Sequence, residues 1–317
     1  MGARMISVVA LYHFAPIADP AAIRTPLFAF CEERGIKGTL LVAREGINGT
    51  IAGERAALEQ AVAYIHNWPG FAAMEVKYSR AEAMPFGKLK VRLKREIVTM
   101  GVDGIDPRSD VGHYVDPADW NALISDPETV IIDTRNDFEV QAGTFEGAIN
   151  PETISFRQFP AWFDAEAEKL RAAGKVPKFA MFCTGGIRCE KASAYLMERG
   201  IEAVYQLEGG ILNYLEHTPS ATSRWHGDCF VFDERVALDA ALSPGEFSLC
   251  FACRRPLSAE DRASPLFREA ECCPHCHDQL SADKRRGFAE RRRQVALADA
   301  RRERHVGAVM PVRDKAL

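Results

Sequence analysis

The first hundred residues combine two hydrophobic patterns, one typical of strands and one typical of helices. Runs of apolar and β-branched residues predict strands, and apolar residues three and four positions apart predict helices. In chain order the predicted segments are 6–11 (strand), 20–34 (helix), 39–42 and 49–52 (strands), 54–67 (helix) and 75–78 (strand). This order predicts that residues 1–100 form a ferredoxin-like α+β domain, with helices packed on an antiparallel sheet.

The segment 88–95 alternates strictly between polar and apolar residues. Leu89, Val91 and Leu93 are predicted to face the core of a strand. The opposite face then carries four cations: Lys88, Lys90, Arg92 and Lys94. Lysines protect many edge strands against aggregation, but four cations without an interleaved acid also match a phosphate backbone. We therefore predict that these four residues bind nucleic acid, with edge protection alone as the alternative.

The apolar run 179–182 predicts a short buried strand, and 190–200 has the spacing of a helix that ends at Gly200. Cys183 lies between them and opens a short glycine-bearing loop: Thr184, Gly185, Gly186, Ile187 and Arg188. A tight loop before a helix turns backbone N–H groups inward, and such a nest stabilises a thiolate. Cys183 is therefore predicted to be a reactive nucleophile, and the alternative is an inert buried cysteine. Cys189 and Arg157 are further candidates near this site, Cys189 as a dispensable or resolving thiol.

A second group of cysteines lies in residues 219–317, in two Cys-x-x-Cys pairs that are 19 residues apart. This spacing predicts a structural zinc site formed by four thiolates: Cys250, Cys253, Cys273 and Cys276. Cys272, His275 or His277 could replace one of these ligands, and reduced thiols without metal are the alternative to a metal site.

An arginine-rich segment follows the second cysteine pair. It predicts a basic helix over 283–304 with eight arginines: Arg285, Arg286, Arg291, Arg292, Arg293, Arg301, Arg302 and Arg304. Such a helix is commonly a solvated face or a disordered tail, but next to a zinc site it would also extend an RNA-binding surface.

Length, composition and charge indicate how many domains the chain forms and where the protein is located. With 317 residues the chain is long enough for two or three domains. We expect no membrane segment, because no apolar run approaches the ~20 residues that a membrane-spanning helix needs. The first twelve residues are too short and strand-like for a signal peptide, so a cytoplasmic location is expected. The net charge of −4 conceals basic residues concentrated near 88–95 and in the last 35 positions.

The Cys183 loop resembles the active-site loop of rhodanese domains, whose cysteine carries a persulfide. The segment 130–150 resembles the first rhodanese signature, with Gly-Thr-Phe in place of the usual Gly-His-Ile, and 204–212 resembles the last strand and its turn. This resemblance implies a rhodanese-like parallel-sheet domain over 117–218, after a linker at 101–116 rich in Gly, Asp and Pro. Cysteine phosphatases share this architecture but have an arginine six positions after the cysteine, where this chain has Cys189.

Three segments together resemble one family, the bacterial rhodanese-containing tRNA uridine hydroxylases. They are 38–53, with Arg-Glu-Gly-Ile-Asn-Gly, then 86–98, and the Cys-Thr-Gly-Gly-Ile-Arg-Cys-Glu-Lys-Ala segment that begins at Cys183. The resemblance implies oxygen-dependent conversion of the wobble uridine of tRNA to 5-hydroxyuridine, with tRNA as partner, molecular oxygen as co-substrate and Cys183 as the reactive residue. The thiolate would either add to C6 of uracil or carry an oxidised form such as a persulfide or sulfenate.

Two other functions agree with the same residues. A rhodanese-type sulfurtransferase would pass sulfur from Cys183 to a thiol or to tRNA. A non-catalytic RNA-binding adaptor would bind RNA without any reaction at Cys183. The sequence contains no recognisable flavin, haem or two-histidine-carboxylate motif, and it has eight histidines in all. The fold class predicted from all segments is α/β, with a ferredoxin-like N-terminal domain, a central rhodanese-like domain and a small cysteine-rich C-terminal region.

Overall fold

The structure is a computed structural model that describes residues 5–174 and 176–301. The chain forms two compact units, Met1–Gly245 and Glu246–Leu317. Arg302 and Arg304, and with them the end of the predicted basic helix, lie outside the described residues. Within the described residues, no helix is both long and apolar enough to cross a membrane.

The N-terminal part of the first unit is a five-stranded sheet with two helices on one face. Its elements are β1 (Ile6–Phe14), α1 (Pro20–Glu33), β2 (Lys37–Ala43), β3 (Gly46–Gly53), α2 (Arg55–His66), β4 (Glu75–Ala81) and β5 (Leu89–Leu93). The strand order β4-β1-β3-β2-β5 has antiparallel neighbours except for β5, which runs parallel to β2. The first four strands confirm the predicted ferredoxin-like arrangement. Asp19 caps α1 by accepting hydrogen bonds from two backbone N–H groups, and Pro20 follows at the first helical position.

The basic segment forms β5, which is an edge strand of this sheet. Val91 is buried in the core beneath α1, and Leu89 packs partly against that core. Leu93, predicted to face the core, is instead 45% exposed. It lies at the last position of the strand, where the pairing with β2 ends and no further strand covers it.

The rhodanese-like part contains a four-stranded parallel sheet in the order β6-β10-β9-β7. Its elements are β6 (His113–Val115), α3 (Pro117–Ile124), β7 (Thr129–Asp133), α4 (Asp137–Val140), β8 (Gly143–Phe145), α5 (Phe159–Ala172), β9 (Lys178–Phe182), α6 (Ile187–Glu198), β10 (Val204–Leu207) and α7 (Gly210–His217). Apolar clusters cover both faces of the sheet, as buried parallel strands require. Cys183 follows β9, at the carboxyl edge where parallel sheets place ligands.

The first unit continues to Gly245, beyond the position 219 at which the cysteine-rich region was predicted to begin. The extension contains β11 (Trp225–Gly227), β12 (Cys229–Phe230) and β13 (Ala237–Leu238). Strand β11 pairs with β8, and Trp225 packs edge-on against Phe145, so this segment completes the rhodanese-like core. The hydrophobic pattern of such short strands is too brief to show this from sequence.

The second unit is small and has few regular elements: β14 (Ser248–Leu249), β15 (Pro256–Leu257), α8 (Ala259–Ala263) and α9 (Ala282–Ala300). Its core consists largely of cysteine side chains together with Leu257. Helix α9 contains the predicted basic residues up to Arg293, and Arg292 pairs with Glu269 at 2.8 Å.

Candidate active site

Cys183 is fixed at the centre of a tight loop between β9 and α6. The backbone N–H of Gly186 donates a hydrogen bond to the Cys183 sulfur at 3.1 Å. Gly186 has a φ of +103°, a conformation that side-chain-bearing residues rarely adopt, so glycine is required here. Helix α6 begins at Ile187, earlier than predicted, so Ile187 and Arg188 of the predicted loop belong to its first turn. The structure therefore directs a helix N-terminus at the sulfur.

The surroundings of Cys183 favour the thiolate. Burial opposes ionisation of this 1% exposed residue, but four groups outweigh it: the thiol of Cys189, the charge of Arg188 and the backbone N–H groups of both residues. Together they hold the pKa of Cys183 well below the usual value of 9.0. By contrast, burial raises the pKa of Cys31 to about 11. The loop thus supports the predicted reactive thiolate by its geometry.

Arg188 owes its position to a buried carboxylate. Its two terminal nitrogens donate to the two oxygens of Glu139 at 2.6 and 2.8 Å, which is a bidentate pair. Glu139 is fully buried and also accepts the backbone N–H of Asn136 at 3.1 Å. Arg188 therefore acts as a fixed charge beside Cys183. Glu139 lies within the segment 130–150, but no local pattern indicates that it pairs with Arg188.

The two remaining candidates, Cys189 and Arg157, have different environments. Cys189 is completely buried, and its sulfur is 3.7 Å from the hydroxyl of Thr134. Burial and the neighbouring Cys183 raise the pKa of Cys189, so it keeps its proton and can donate to the thiolate. Arg157 is exposed and its side chain lies beside Gly101.

Residues of the N-terminal domain also reach the loop, which the sequence did not predict. Tyr12 of β1 donates a hydrogen bond to Glu190 at 3.1 Å. Tyr114 of β6, in the rhodanese-like sheet, donates to the other oxygen of Glu190 at 2.8 Å. The ammonium of Lys77 on β4 donates to the carbonyl oxygen of Gly209. Burial raises the pKa of Glu190. These contacts join residues far apart in sequence, so no local pattern could have revealed them.

The buried Lys191 strengthens the same junction between the two domains of the first unit. Its ammonium pairs with Glu45 at 2.9 Å and with Glu96 at 2.7 Å. Glu45 also accepts the backbone N–H of Ile97 at 2.6 Å. The segment that follows Cys183 in sequence thus contacts the N-terminal domain through two successive charged residues, Glu190 and Lys191.

The second unit brings four cysteine sulfurs within 4.8 Å of one another: Cys250, Cys253, Cys273 and Cys276. The sulfur–sulfur distances are 3.9 Å for Cys250–Cys276, 3.7 Å for Cys253–Cys273 and 3.7 Å for Cys273–Cys276. Four sulfurs at about 2.3 Å from a tetrahedral zinc ion would be about 3.8 Å apart, so the cluster has the dimensions of a metal site.

The alternative ligands proposed from sequence are engaged elsewhere. The thiol of Cys272 donates to the carbonyl of Leu266 at 3.6 Å. His275 pairs with Asp261 at 3.0 Å, and His277 pairs with Asp278 at 2.8 Å. The four cysteines of the two Cys-x-x-Cys pairs are therefore the set that could bind a metal ion.

Comparisons with known proteins agree with this architecture. A family described as UPF0176 acylphosphatase like domain matches residues 6–97, and the rhodanese-like domain family matches residues 116–217. Fold and site thus define a rhodanese-like cysteine domain joined to an acylphosphatase-like domain.

Whole-length relatives define the family more narrowly. A protein of Gluconobacter oxydans (strain 621H) named tRNA uridine(34) hydroxylase is 57% identical over 302 residues, covering 95% of this chain and 96% of its own. Proteins of the same name from Mesorhizobium japonicum and Agrobacterium fabrum are 54% and 53% identical over 96% and 95% of this chain, and 97% and 94% of their own. The chain belongs to the tRNA uridine(34) hydroxylase family.

Proposed function

We propose that this protein hydroxylates C5 of the wobble uridine of tRNA, with Cys183 as the reactive residue and molecular oxygen as co-substrate. The observation that carries the proposal is a buried sulfur that receives hydrogen bonds and faces the fixed charge of Arg188. Full-length similarity to proteins named tRNA uridine(34) hydroxylase supports the substrate. Because tRNA is the substrate, a cytoplasmic location follows from the proposal.

A thiolate suits this reaction because uracil C6 is electrophilic. Addition of the Cys183 sulfur to C6 forms an S–C bond and shifts the C5=C6 electron pair into the ring carbonyl, so C5 becomes nucleophilic. One oxygen atom of O2 would then be retained at C5. The other would leave as water after taking two electrons and two protons, which we assign to cellular thiols. Loss of the C5 proton then breaks the S–C6 bond, restores the C5=C6 double bond and releases the Cys183 thiolate. A persulfide or sulfenate on the same sulfur is the alternative form of the residue.

Mass spectrometry of tRNA nucleosides tests this function directly. We expect that tRNA from cells lacking the protein loses 5-hydroxyuridine at the wobble position, and that the wild-type gene restores it whereas Cys183→Ser does not. Exchange of oxygen for sulfur in the nucleoside would instead identify a sulfurtransferase, which the rhodanese-like domain also supports. An unchanged nucleoside profile would contradict both enzymes and favour an adaptor.

We further propose that the basic edge formed by Lys88, Lys90, Arg92 and Lys94 binds tRNA phosphates. Lys88, Arg92 and Lys94 are exposed, and Lys90 is partly buried. Replacing Lys90 and Arg92 with Ala should weaken binding of any tRNA and reduce the slope of log affinity against log salt by about 1–2. The matched control is a double alanine variant of Lys169 and Arg171, two exposed cations on α5. An unchanged salt slope would mean that the cations only protect a sheet edge.

The cysteine cluster of the second unit is proposed to hold one structural zinc ion. The four sulfurs would complete a tetrahedral shell, so this ion would stabilise the fold and would have no open position for a substrate. The sulfur–sulfur distances of 3.7 to 3.9 Å support this proposal.

A further inference from the structure

The two faces of the N-terminal sheet have different roles. Val9 and Leu11 of β1 point into the core beneath α1 and α2. Side chains alternate along a strand, so Ala10 and Tyr12 lie on the opposite face. Cross-strand pairing places Lys77 beside Ala10 on that same face. The face without helices therefore carries Tyr12 and Lys77 next to each other.

This face also continues to the basic edge of the sheet. The pairing register gives one row across all five strands: Lys77, Ala10, Thr50, Thr39 and Lys90. The neighbouring row contains Glu75, Tyr12, Asn48, Leu41 and Arg92. The middle of the first row has only small side chains, and cations stand at both ends. Lys77 lies among three acids, Glu75, Glu208 and Glu216, so the positive charge of this face is concentrated at Lys90 and Arg92. The phosphates of a single strand would bind at that edge.

The Tyr12 end of the face lies directly on the Cys183 loop. A Cβ atom added to Gly186 would be 2.8 Å from the Tyr12 hydroxyl, and one added to Gly209 would overlap the ammonium of Lys77. Glycine at these two positions therefore permits the close approach of the N-terminal domain. Burial and the charge of Glu190 raise the pKa of Tyr12, and the charge of Cys183 adds to this. Burial lowers the pKa of Lys77 to about 8, while nearby charges that include Cys183 oppose the decrease.

We propose that Tyr12 and Lys77 bind the uracil base on which Cys183 acts, so that the base-binding site is built by both domains of the first unit. The inference rests on the proposed function for the identity of the base. Before the base binds, Glu190 accepts the hydrogen bond of the Tyr12 hydroxyl at 3.1 Å and so keeps this side chain beside the loop.

The chemistry of the two side chains matches a base extruded from a tRNA loop. Unpaired bases stack on aromatic rings and use their edges for hydrogen bonds, and uracil presents two carbonyl oxygens as acceptors. The Tyr12 hydroxyl and the Lys77 ammonium can donate to these oxygens after leaving Glu190 and Gly209. Thiolate addition to C6 places negative charge on the O4 oxygen, and a cation held nearby stabilises that charge. This explains why a partly buried lysine faces the loop of a reactive cysteine.

Crosslinking tests the proposal without depending on hydroxylation. A tRNA with 4-thiouridine at the wobble position is bound to the full-length protein and irradiated, and the crosslinked peptides are mapped by mass spectrometry. We expect crosslinks to β1 at Tyr12 or to β4 at Lys77. Crosslinks confined to the rhodanese-like domain would overturn the proposal. Failure of the proposed function would show separately, as absence of 5-hydroxyuridine whatever the crosslink.

Kinetics of matched variants distinguish base binding from a merely structural role. Lys77→Met and Tyr12→Phe should each raise KM for tRNA roughly 10- to 100-fold, the effect of losing one hydrogen bond in a charged setting. Lys77→Arg should restore part of the affinity because it keeps the cation. Lys169→Met and Tyr64→Phe control for loss of charge and of a hydroxyl elsewhere in the chain. Unchanged KM and crosslinking in both test variants, with intact folding by thermal melting, would refute the proposal.

Discussion

The two cysteine sites of this chain use the same side chain in opposite ways. In the first unit one sulfur, Cys183, receives hydrogen bonds from backbone N–H groups and lies near the charge of Arg188. In the second unit four sulfurs converge within 4.8 Å of one another. A thiolate surrounded by donors remains a nucleophile, whereas four thiolates at tetrahedral spacing require a cation between them. The groups that surround a cysteine, and not its burial, decide its chemistry.

The largest effect is expected at the four-cysteine cluster. Cys273→Ser should abolish stoichiometric zinc binding, because one lost ligand opens the tetrahedral shell. The effect is large because apparent binding free energies of structural zinc are about 10–16 kcal/mol. Elemental analysis of protein purified without chelator measures the metal content. Cys272→Ser is the control. The Cys272 thiol donates to the Leu266 carbonyl, so this variant should keep the metal in place. Metal-free wild-type protein with four freely titratable thiols would reject the site.

The second prediction concerns the single sulfur. Cys183→Ser should lower formation of 5-hydroxyuridine by about 10⁵-fold or more, because a serine hydroxyl does not ionise in the nest and a lost nucleophile has effects of this size. Nucleoside mass spectrometry on tRNA provides the measurement. Cys189→Ser should keep substantial activity, since its hydroxyl can still donate to the Cys183 sulfur. If Cys183→Ser retained full activity, Cys183 would not be the reactive residue.

The third prediction concerns the buried ion pair of Arg188 and Glu139 beside Cys183. Glu139→Gln should destabilise the first unit by about 3–5 kcal/mol, because it leaves the buried Arg188 without its carboxylate. Urea unfolding followed by fluorescence gives the free energy. Glu59→Gln breaks the exposed ion pair with Arg55 and should cost at most about 1 kcal/mol. Equal losses in the two variants would show that burial of the Arg188–Glu139 pair has no special importance.

The smallest effect concerns the ionisation of Cys183. Cys189→Ala should raise the pH at which the Cys183 thiolate forms by about one unit, because it removes a hydrogen bond to the charged form. With the pKa raised, less thiolate is present in weakly acidic solution, and the loss disappears at high pH. Absorbance at 240 nm, taken as the difference from Cys183→Ser, follows the thiolate. Cys189→Ser keeps a donor, so the pKa of Cys183 should change less in this variant. An identical titration in the wild type, Cys189→Ala and Cys189→Ser would contradict the assigned hydrogen bond.

Local patterns in the sequence predicted the elements of the N-terminal sheet and the location of both groups of cysteines, whereas the rhodanese-like domain was expected from a resemblance. The order of hydrophobic periods predicted the ferredoxin-like sheet, and the position of Cys183 between a buried strand and a helix indicated the loop. The spacing of Cys250, Cys253, Cys273 and Cys276 indicated the metal-binding set, because ligands close in sequence determine their own geometry. The predicted roles of these residues stay predictions that the experiments above address. The domain limits at 100, 117, 218 and 219 also stay predictions.

The sequence by itself thus determined the strands and helices of the N-terminal sheet and which cysteines lie together, since these depend on neighbours within a few positions. Only the tertiary structure decided what surrounds Cys183. Glu139 meets Arg188, Tyr12 meets Glu190, and Lys77 meets Gly209 across 49, 178 and 132 positions of the chain. Such contacts have no period and no spacing, because they arise when separate elements pack and their side chains share one small volume. The composite character of the site follows from the packing of the two domains.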